Sequence, residues 1–245
     1  MATRLGIDIG GTTIKGALVD VASGTLTSDR FVVPTPKPST PASVVEVATR
    51  MVDRFDPEGS VGCTFPGVVK QGVTLTAANV DKGWIGADAQ ALFGTGTGRP
   101  FVVLNDADAA GLAEMTFGAG VGRDGLVLMV TLGSGIGSAL FLDGKLVPNS
   151  ELGHMELDGD EAERQASERV RVVGELAWDV WGERVDAYFR SLERLLWPDL
   201  IIVGGGVSAE SEQFFPFVGV KCELTPARLL NDAGIVGAAL AASGA

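Results

Sequence analysis

The chain has 245 residues, of which 46% are hydrophobic, 34 are glycine and few are aromatic, enough for one large or two modest α/β cores with many tight turns. Its net charge of −12, concentrated in residues 151–245, reads against nucleic acid as a partner, because phosphate backbones are held by basic surfaces. No apolar run approaches the roughly 20 residues that span a bilayer and no signal-peptide core opens the chain, so a cytoplasmic protein with no membrane partner is expected.

Strands are predicted at 5–9, 14–19 and 30–33, the first two joined by a glycine turn. Pro34, Pro36, Pro38 and Pro41 mark a loop before a helix over 41–55. A strand over 61–65 ends at Pro66-Gly67, a short strand follows near 73–76, and a helix near 87–93 leads to a buried strand over 101–104. That strand runs into Asn105-Asp106-Ala-Asp108 and a helix over 107–117, and polar residues at such a strand end sit where α/β proteins bind ligands. A second hairpin covers 126–142. A long helical tract is predicted over 161–197, interrupted only at Gly174 and Gly182. A strand over 200–203 follows, then Gly204-Gly-Gly206, a helix from about Ser208, and a small-residue helix over 231–242 able to pack closely on a sheet. The order repeats one architectural theme twice without a sequence repeat. Cys63 and Cys222 have no metal-ligand spacing, so free thiols are expected.

Two segments carry the chemistry. Leu5–Asp20 and Leu128–Leu142 each run apolar, turn through Gly and Ser/Thr, and return apolar. These turns hold more glycine than reversal alone requires. Without a Cβ, backbone N–H groups close on an anion, and nearby hydroxyls add donors. Two such turns point to a chain of phosphates as ligand. Asp8, just ahead of the first, is placed to hold the Mg²⁺ that phosphates bring. The pattern indicates a phosphoryl-transfer site.

Asp8-Ile-Gly-Gly-Thr-Thr-Ile-Lys-Gly16, Asn105-Asp-Ala-Asp-Ala-Ala-Gly-Leu-Ala-Glu114, Thr131-Leu-Gly-Ser-Gly-Ile-Gly137 and Glu151-Leu-Gly-His154 resemble, in order, the signatures of the ROK sugar kinases. The match runs from Leu5 to Leu240. Within that family, Thr64–Val69, Thr76–Lys82, Leu195–Ser208 and Leu230–Gly237 are most similar to the polyphosphate-dependent glucokinases of actinobacteria. Most ROK kinases carry a Cys-rich zinc motif after Glu-x-Gly-His; residues 155–175 contain no Cys, so no structural zinc is expected.

The resemblance implies the actin-like, Hsp70-like ATPase (ribonuclease H-like) α/β fold, with the active site in a cleft between two lobes. These are residues 1–110, with the C-terminal helix 232–245 packing back on them, and residues 111–231. It implies transfer of a phosphoryl group from polyphosphate or ATP to the 6-hydroxyl of glucose, with mannose as a further acceptor, in a homodimer. Asp106 matches the catalytic aspartate; a helix N-cap is its competing structural reading. Asp108 is its rival, read as solvent-facing or behind the site. Asn105, Glu151, His154 and Glu163 form the implied sugar grip, with Glu161 and Glu168 as alternatives to Glu163. Gly67 and Asn79 lie in loops that close over the sugar in the family. Asp8 is the metal residue. The donor phosphates are assigned to Gly10, Gly11, Thr12, Thr13 and Lys15 on the first turn, Lys15 having solvent exposure as its alternative. On the second they are assigned to Thr131, Gly133, Ser134 and Gly135, with Gly205 and Gly206 where the family places adenosine.

The chain departs from the pattern at Ser208-Ala-Glu-Ser-Glu212. Polyphosphate-using relatives place Lys or Arg there, and Glu210 and Glu212 repel a polyanion; Arg123, Lys145 and Lys82 offer another route. Two competing readings are a strictly ATP-dependent hexokinase and a non-catalytic sugar-binding ROK protein. The ROK repressors carry an N-terminal winged helix-turn-helix, whereas here the first strand begins by Leu5.

Overall fold

Helix α1, Pro41–Phe55, shows how local sequence sets the elements. Thr40 caps it by accepting from the Ser43 N–H, Pro41 occupies its first turn, and Asp56 closes it in the left-handed region. Val44, Val47, Ala48, Met51 and Val52 recur at helical spacing on its buried face.

The computed structural model describes residues 3–244. In chain order they form β1 (Thr3–Ile9), β2 (Thr13–Asp20), β3 (Thr25–Leu26), β4 (Phe31–Pro34), α1 (Pro41–Phe55), β5 (Val61–Phe65), β6 (Val69–Lys70) and β7 (Val73–Thr74). Next come α2 (Ala89–Thr97), β8 (Phe101–Asn105), α3 (Asp106–Phe117), β9 (Leu126–Leu132), β10 (Ile136–Leu142), β11 (Lys145–Val147), β12 (Glu156–Leu157) and β13 (Asp160–Glu161). The last are α4 (Glu163–Ala166), α5 (Glu168–Val173), α6 (Trp178–Leu196), β14 (Leu200–Gly204), β15 (Glu223–Pro226) and α7 (Ala233–Ala242). Among the described residues no helix is long and apolar enough to cross a membrane.

The chain divides into two compact units: the described residues up to Ala113 with those from Asp232 onward, and Glu114–Asn231. Each is built on the same plan. In the first, the sheet order is β3-β2-β1-β5-β8, with β4 also on β2. Here β1 and β2 form an antiparallel hairpin, while β5 and β8 add in parallel. In the second, the order is β11-β10-β9-β14-β15, again an antiparallel hairpin followed by parallel strands. Parallel strands put several C-terminal ends on one edge, which is where each unit carries its polar residues.

The first core stacks Phe65, Trp84, Phe93 and Phe101, with successive ring centroids 5.0, 5.6 and 5.2 Å apart. Helix α7 lies directly on β1 and β5. A Cβ at Gly6 would come within 2.0 Å of the Ile235 carbonyl, and one at Gly62 within 1.7 Å of the Ala238 carbonyl. The small-residue character of α7 and these strand glycines are therefore one packing device. The second core gathers Trp181, Tyr188, Phe189 and Phe214 under β9 and β14.

Two expected elements differ. The tract over 161–197 is not one helix: Asp160–Glu161 pairs back on Glu156–Leu157, and Ser167 is extended between α4 and α5. Glu175, at φ 49°, follows α5, and α6 starts only at Trp178. Gly182 does not interrupt α6; it sits inside it, where a Cβ would come within 2.9 Å of Phe217 Cβ. Residues 206–213 form a 3-10 segment rather than an α-helix, with Glu210 at non-helical angles.

Candidate functional site

In the first unit, β1, β5 and β8 run parallel, in register at Ile7–Cys63 and Phe65–Asn105. Their C-terminal ends bring Asp8, Thr64, Asn105 and Asp106 to one edge. The Thr64 hydroxyl, fully buried, donates to Asp8 Oδ1 at 2.8 Å and accepts the Ile9 N–H at 3.0 Å. Lys15 Nζ lies 3.2 Å from Asp8 Oδ2, so Lys15 faces the carboxylate rather than bulk solvent. Gly234, in the first turn of α7, packs on the same group; a Cβ there would come within 2.9 Å of Asp8 Cγ.

The turn after Asp8 is closed by the Gly10 N–H donating to Thr13 O at 3.0 Å. Thr35 braces it, its N–H donating to Thr12 O at 2.9 Å and its hydroxyl to Gly10 O at 2.6 Å. Gly11 lies against Asn79, whose Cβ a Gly11 side chain would approach to 2.7 Å. The Asn79 loop and the first glycine turn are thus neighbours. Asp8, with nearby hydroxyls and a carboxylate partly open to water, is a hard oxygen donor set. It fits Mg²⁺, which keeps several waters and takes one or two carboxylates with substrate phosphates.

Asn105 is 5% exposed and serves as the cap of α3: its Oδ1 accepts the Ala107 and Asp108 N–H groups at 2.8 and 3.0 Å. Its Nδ2 donates to Gly67 O at 3.2 Å, tying the Pro66-Gly67 turn to the end of β8. Asp106 Oδ1 accepts from the Ala107 N–H at 2.9 Å. The capping role weighed for Asp106 therefore falls mainly to Asn105. Asp108 is not solvent-facing; it is 2% exposed, because α3 turns that position inward.

In the second unit, Gly133 N–H donates to Gly135 O at 3.0 Å, closing the β9–β10 turn, and Arg169 N–H donates to Gly133 O at 3.0 Å. Ser134 is exposed at its tip, and Thr131 sits in β9 opposite Gly137 and Gly204. Glu163 Oε2 accepts the Ile136 N–H at 3.3 Å and lies directly over Gly135. The Ser138 hydroxyl accepts the Leu152 N–H at 2.9 Å and donates to Ser150 O at 2.7 Å, docking the Glu151–His154 turn on β10. His154 Nε2 lies 3.8 Å from Glu151 Oε2. Burial pushes the Glu151 carboxyl above its ordinary range; His154 opposes the shift and Glu163 adds to it. Glu151, His154 and Glu163 therefore form one cluster beside the second glycine turn.

Gly205 has φ 87° and packs on Leu132, where a Cβ would come within 2.1 Å of the carbonyl oxygen. Gly206 opens the 3-10 segment, whose Ser208 hydroxyl donates to Gly205 O at 2.8 Å. Near Gly206 lies Glu168, whose carboxyl is raised by burial, lowered by Arg171 and raised again by Glu210. The acidic departure at Glu210 thus faces a second carboxylate. Sequence reasoning missed the opposing cations. A cavity of about 470 Å³ beside Ser134 is lined by Arg164 and Arg169 together with Glu163 and Ser167. The sequence-chosen cations are used elsewhere or point outward: Lys82 donates to Ala77 O at 2.7 Å, Arg123 pairs with Glu223, and Lys145 is exposed.

The ROK family model matches residues 4–169. A polyphosphate glucokinase of Mycobacterium tuberculosis is 45% identical over 96% of this chain and 89% of its own length. The crystal structure of an inorganic polyphosphate/ATP-glucomannokinase from Arthrobacter sp. strain KM superposes with a TM-score of 0.95 at 48% identity, covering 99% of each chain. A ROK family glucokinase from Streptomyces griseus, solved with glucose and AMPPNP, matches with a TM-score of 0.83 at 26% identity, over 99% of this chain and 100% of that one.

Proposed function

This chain belongs to the ROK family, and from that premise we propose that it is a glucokinase transferring a phosphoryl group from polyphosphate or ATP to the 6-hydroxyl of glucose. The observation that carries the reading is the edge of the first unit, where Asp106 follows the last parallel strand beside Asp8, Thr64 and the first glycine turn. The names of the mycobacterial and Arthrobacter relatives support the substrates.

In this reading Asp106 accepts the 6-hydroxyl proton as that oxygen bonds to the terminal phosphorus. The bond to the bridging oxygen breaks, leaving a polyphosphate shorter by one unit, or ADP. The amides of Gly10–Thr13 and Gly133–Gly135, with the Thr12, Thr131 and Ser134 hydroxyls, hold donor oxygens, and Lys15 balances their charge. Asp8 would hold Mg²⁺ through water, the metal supplying charge neutralisation on the phosphates. Glu151, His154 and Glu163 accept sugar hydroxyls, mannose being a second acceptor. Asn105 holds Gly67 and the start of α3, while Asn79 braces the first turn. Gly205 and Gly206 take the adenosine end or the continuing phosphate chain. Arg169 provides positive charge in the cavity beside Ser134, Arg164 being taken up by Asp160 and Glu161. By analogy with its family the protein is a cytoplasmic homodimer, a setting that suits two free thiols.

The test is glucose 6-phosphate formation with Mg²⁺ and either polyphosphate or ATP as sole donor. Turnover with both is expected. ATP turnover alone would mark Glu210 and Glu212 as a donor switch, and no product with either donor would overturn the reading.

Glu151 also predicts a pH dependence. Its carboxyl is raised in the folded protein, so its ionised form, the better acceptor for hydroxyl protons, is lost above the pH at which an ordinary glutamate protonates. The KM for glucose should climb on the acid side, and Glu151→Gln should flatten that climb while raising KM at neutral pH. The same sign means that the Glu151 contribution to stability is present below the unfolded-state pKa and lost as pH rises through the folded one. Glu151→Gln should therefore not destabilise the fold at pH 8. A melting temperature that falls there would contradict this account.

A further inference from the structure

We propose that Glu161 is a positioning residue that fixes the tautomer of His154, holding the proton on Nδ1 so that Nε2 offers its lone pair beside Glu151. The inference rests on the sugar contact proposed for His154. The backbone of this histidine is locked: Leu152 N–H is held by Ser138, and Gly153 sits where a Cβ would come within 2.2 Å of Ile136 O. The ring then projects between two carboxylates. Glu161 Oε1 lies 3.5 Å from Nδ1, and Glu151 Oε2 lies 3.8 Å from Nε2.

A neutral imidazole has one N–H and can serve only one of them. Which nitrogen keeps the proton is set by the partner of that nitrogen, and the other becomes the acceptor. Glu161 is the nearer partner, and its own place is fixed. It pairs across a tight hairpin with Glu156, and the Gln165 amide donates to Leu157 O, fastening that hairpin to α4. Its second oxygen lies 3.2 Å from Arg164 Nε, and Arg164 Nη1 lies 3.5 Å from Asp160 Oδ1. Glu151 Oε2, at 3.8 Å from Nε2, stands farther from the ring than Glu161 does. Glu163, within 4.8 Å of both the His154 and Glu161 ligand atoms, is already engaged by the Ile136 N–H.

With Nδ1 protonated, Nε2 and Glu151 present two adjacent acceptors to vicinal hydroxyls. With the tautomer reversed, Nε2–H turns toward Glu151 and the acceptor pair is lost. Glu161 therefore acts on ground-state sugar binding and not on the proton transfer.

His154 is the chain's single histidine, so ¹⁵N-histidine labelling yields one pair of ring signals, recorded at pH 8 without sugar. The wild type should show the Nδ1–H form. Glu161→Ala should lose that preference and raise the glucose KM about tenfold with kcat within about twofold. Glu161→Gln, whose side-chain carbonyl accepts the same proton, should restore both. An Nε2–H wild type, or a Glu161→Ala spectrum identical to the wild type, would overturn the proposal. So would ring signals that shift when EDTA is added to the purified protein, since a metal ion would then occupy Nδ1. The spectra need no turnover. The expected tautomers in a protein that phosphorylates no glucose would uphold the positioning role while removing the glucokinase reading.

Discussion

Asp106→Asn is expected to lower kcat by about 1,000-fold while the KM for glucose stays within about twofold. The substitution keeps the side-chain shape and an Oδ1 able to accept the Ala107 N–H, now 2.9 Å away. It removes only the capacity to take a proton. The start of α3 survives because the two N–H groups of its first turn are held by Asn105 Oδ1, so thermal unfolding should move little. Steady-state kinetics with saturating donor, beside a melting curve, separate these effects. A loss below about tenfold, or one expressed mainly in KM, would remove Asp106 as the general base. A large fall in melting temperature would instead assign it a structural role.

The parts of this molecule that were legible in the sequence are those where local chemistry is strong. Thr40-Pro41 announces the start of α1, and Val61–Phe65 and Leu200–Gly204 are short, largely apolar runs buried at every position. Both glycine hairpins could be read because their turns contain more glycine than reversal needs. The tract over 161–197 misled because propensity is weak beside tertiary context: charged, helix-forming residues fill it, yet Glu161 pairs in a hairpin and Ser167 is extended. Ser208–Glu212 gave no sign of 3-10 geometry, since a shift of one backbone hydrogen bond leaves little trace in composition. At the site, the identities of Asp8, Asn105, Asp106, Glu151 and His154 were visible, but their pairings were not. That Lys15 turns to Asp8, that Asn105 caps α3, and that Glu163 grips the second turn are contacts between residues distant in sequence or facing choices within an element. The Arg164–Arg169 side of Ser134 was hidden for the same reason, since it arises from how α4 and α5 fold back on Gly133.

Glu114→Ala is expected to destabilise the protein by about 4 kcal/mol, the largest stability effect among these predictions. Glu114 is fully buried, a costly place for a carboxylate unless it is hydrogen-bonded. Its Oε1 accepts the N–H groups of Arg228 and Leu229 at 2.9 and 2.7 Å, and its Oε2 accepts that of Ala119 at 2.8 Å. The residue opens the second unit, and Arg228 and Leu229 lie just before that unit ends at Asn231. The carboxylate thus fastens the first residue of the unit to its last stretch of chain. Gly118 belongs to the same device, since a Cβ there would come within 2.0 Å of Oε2. Truncation to alanine strands the buried Ala119 donor, at a cost of roughly 1–3 kcal/mol, together with two part-buried donors, and leaves a cavity besides. Glu114→Gln tests the account more finely. Its one carbonyl oxygen can still serve Arg228 and Leu229, but its amide then meets the Ala119 N–H donor to donor, so it should lose about half as much. Urea unfolding measures both, and in a chain of this size 4 kcal/mol corresponds to a fall in melting temperature on the order of 10 °C. An alanine variant within about 1 kcal/mol of the wild type would mean that water replaces the carboxylate, and the fastening role would be lost.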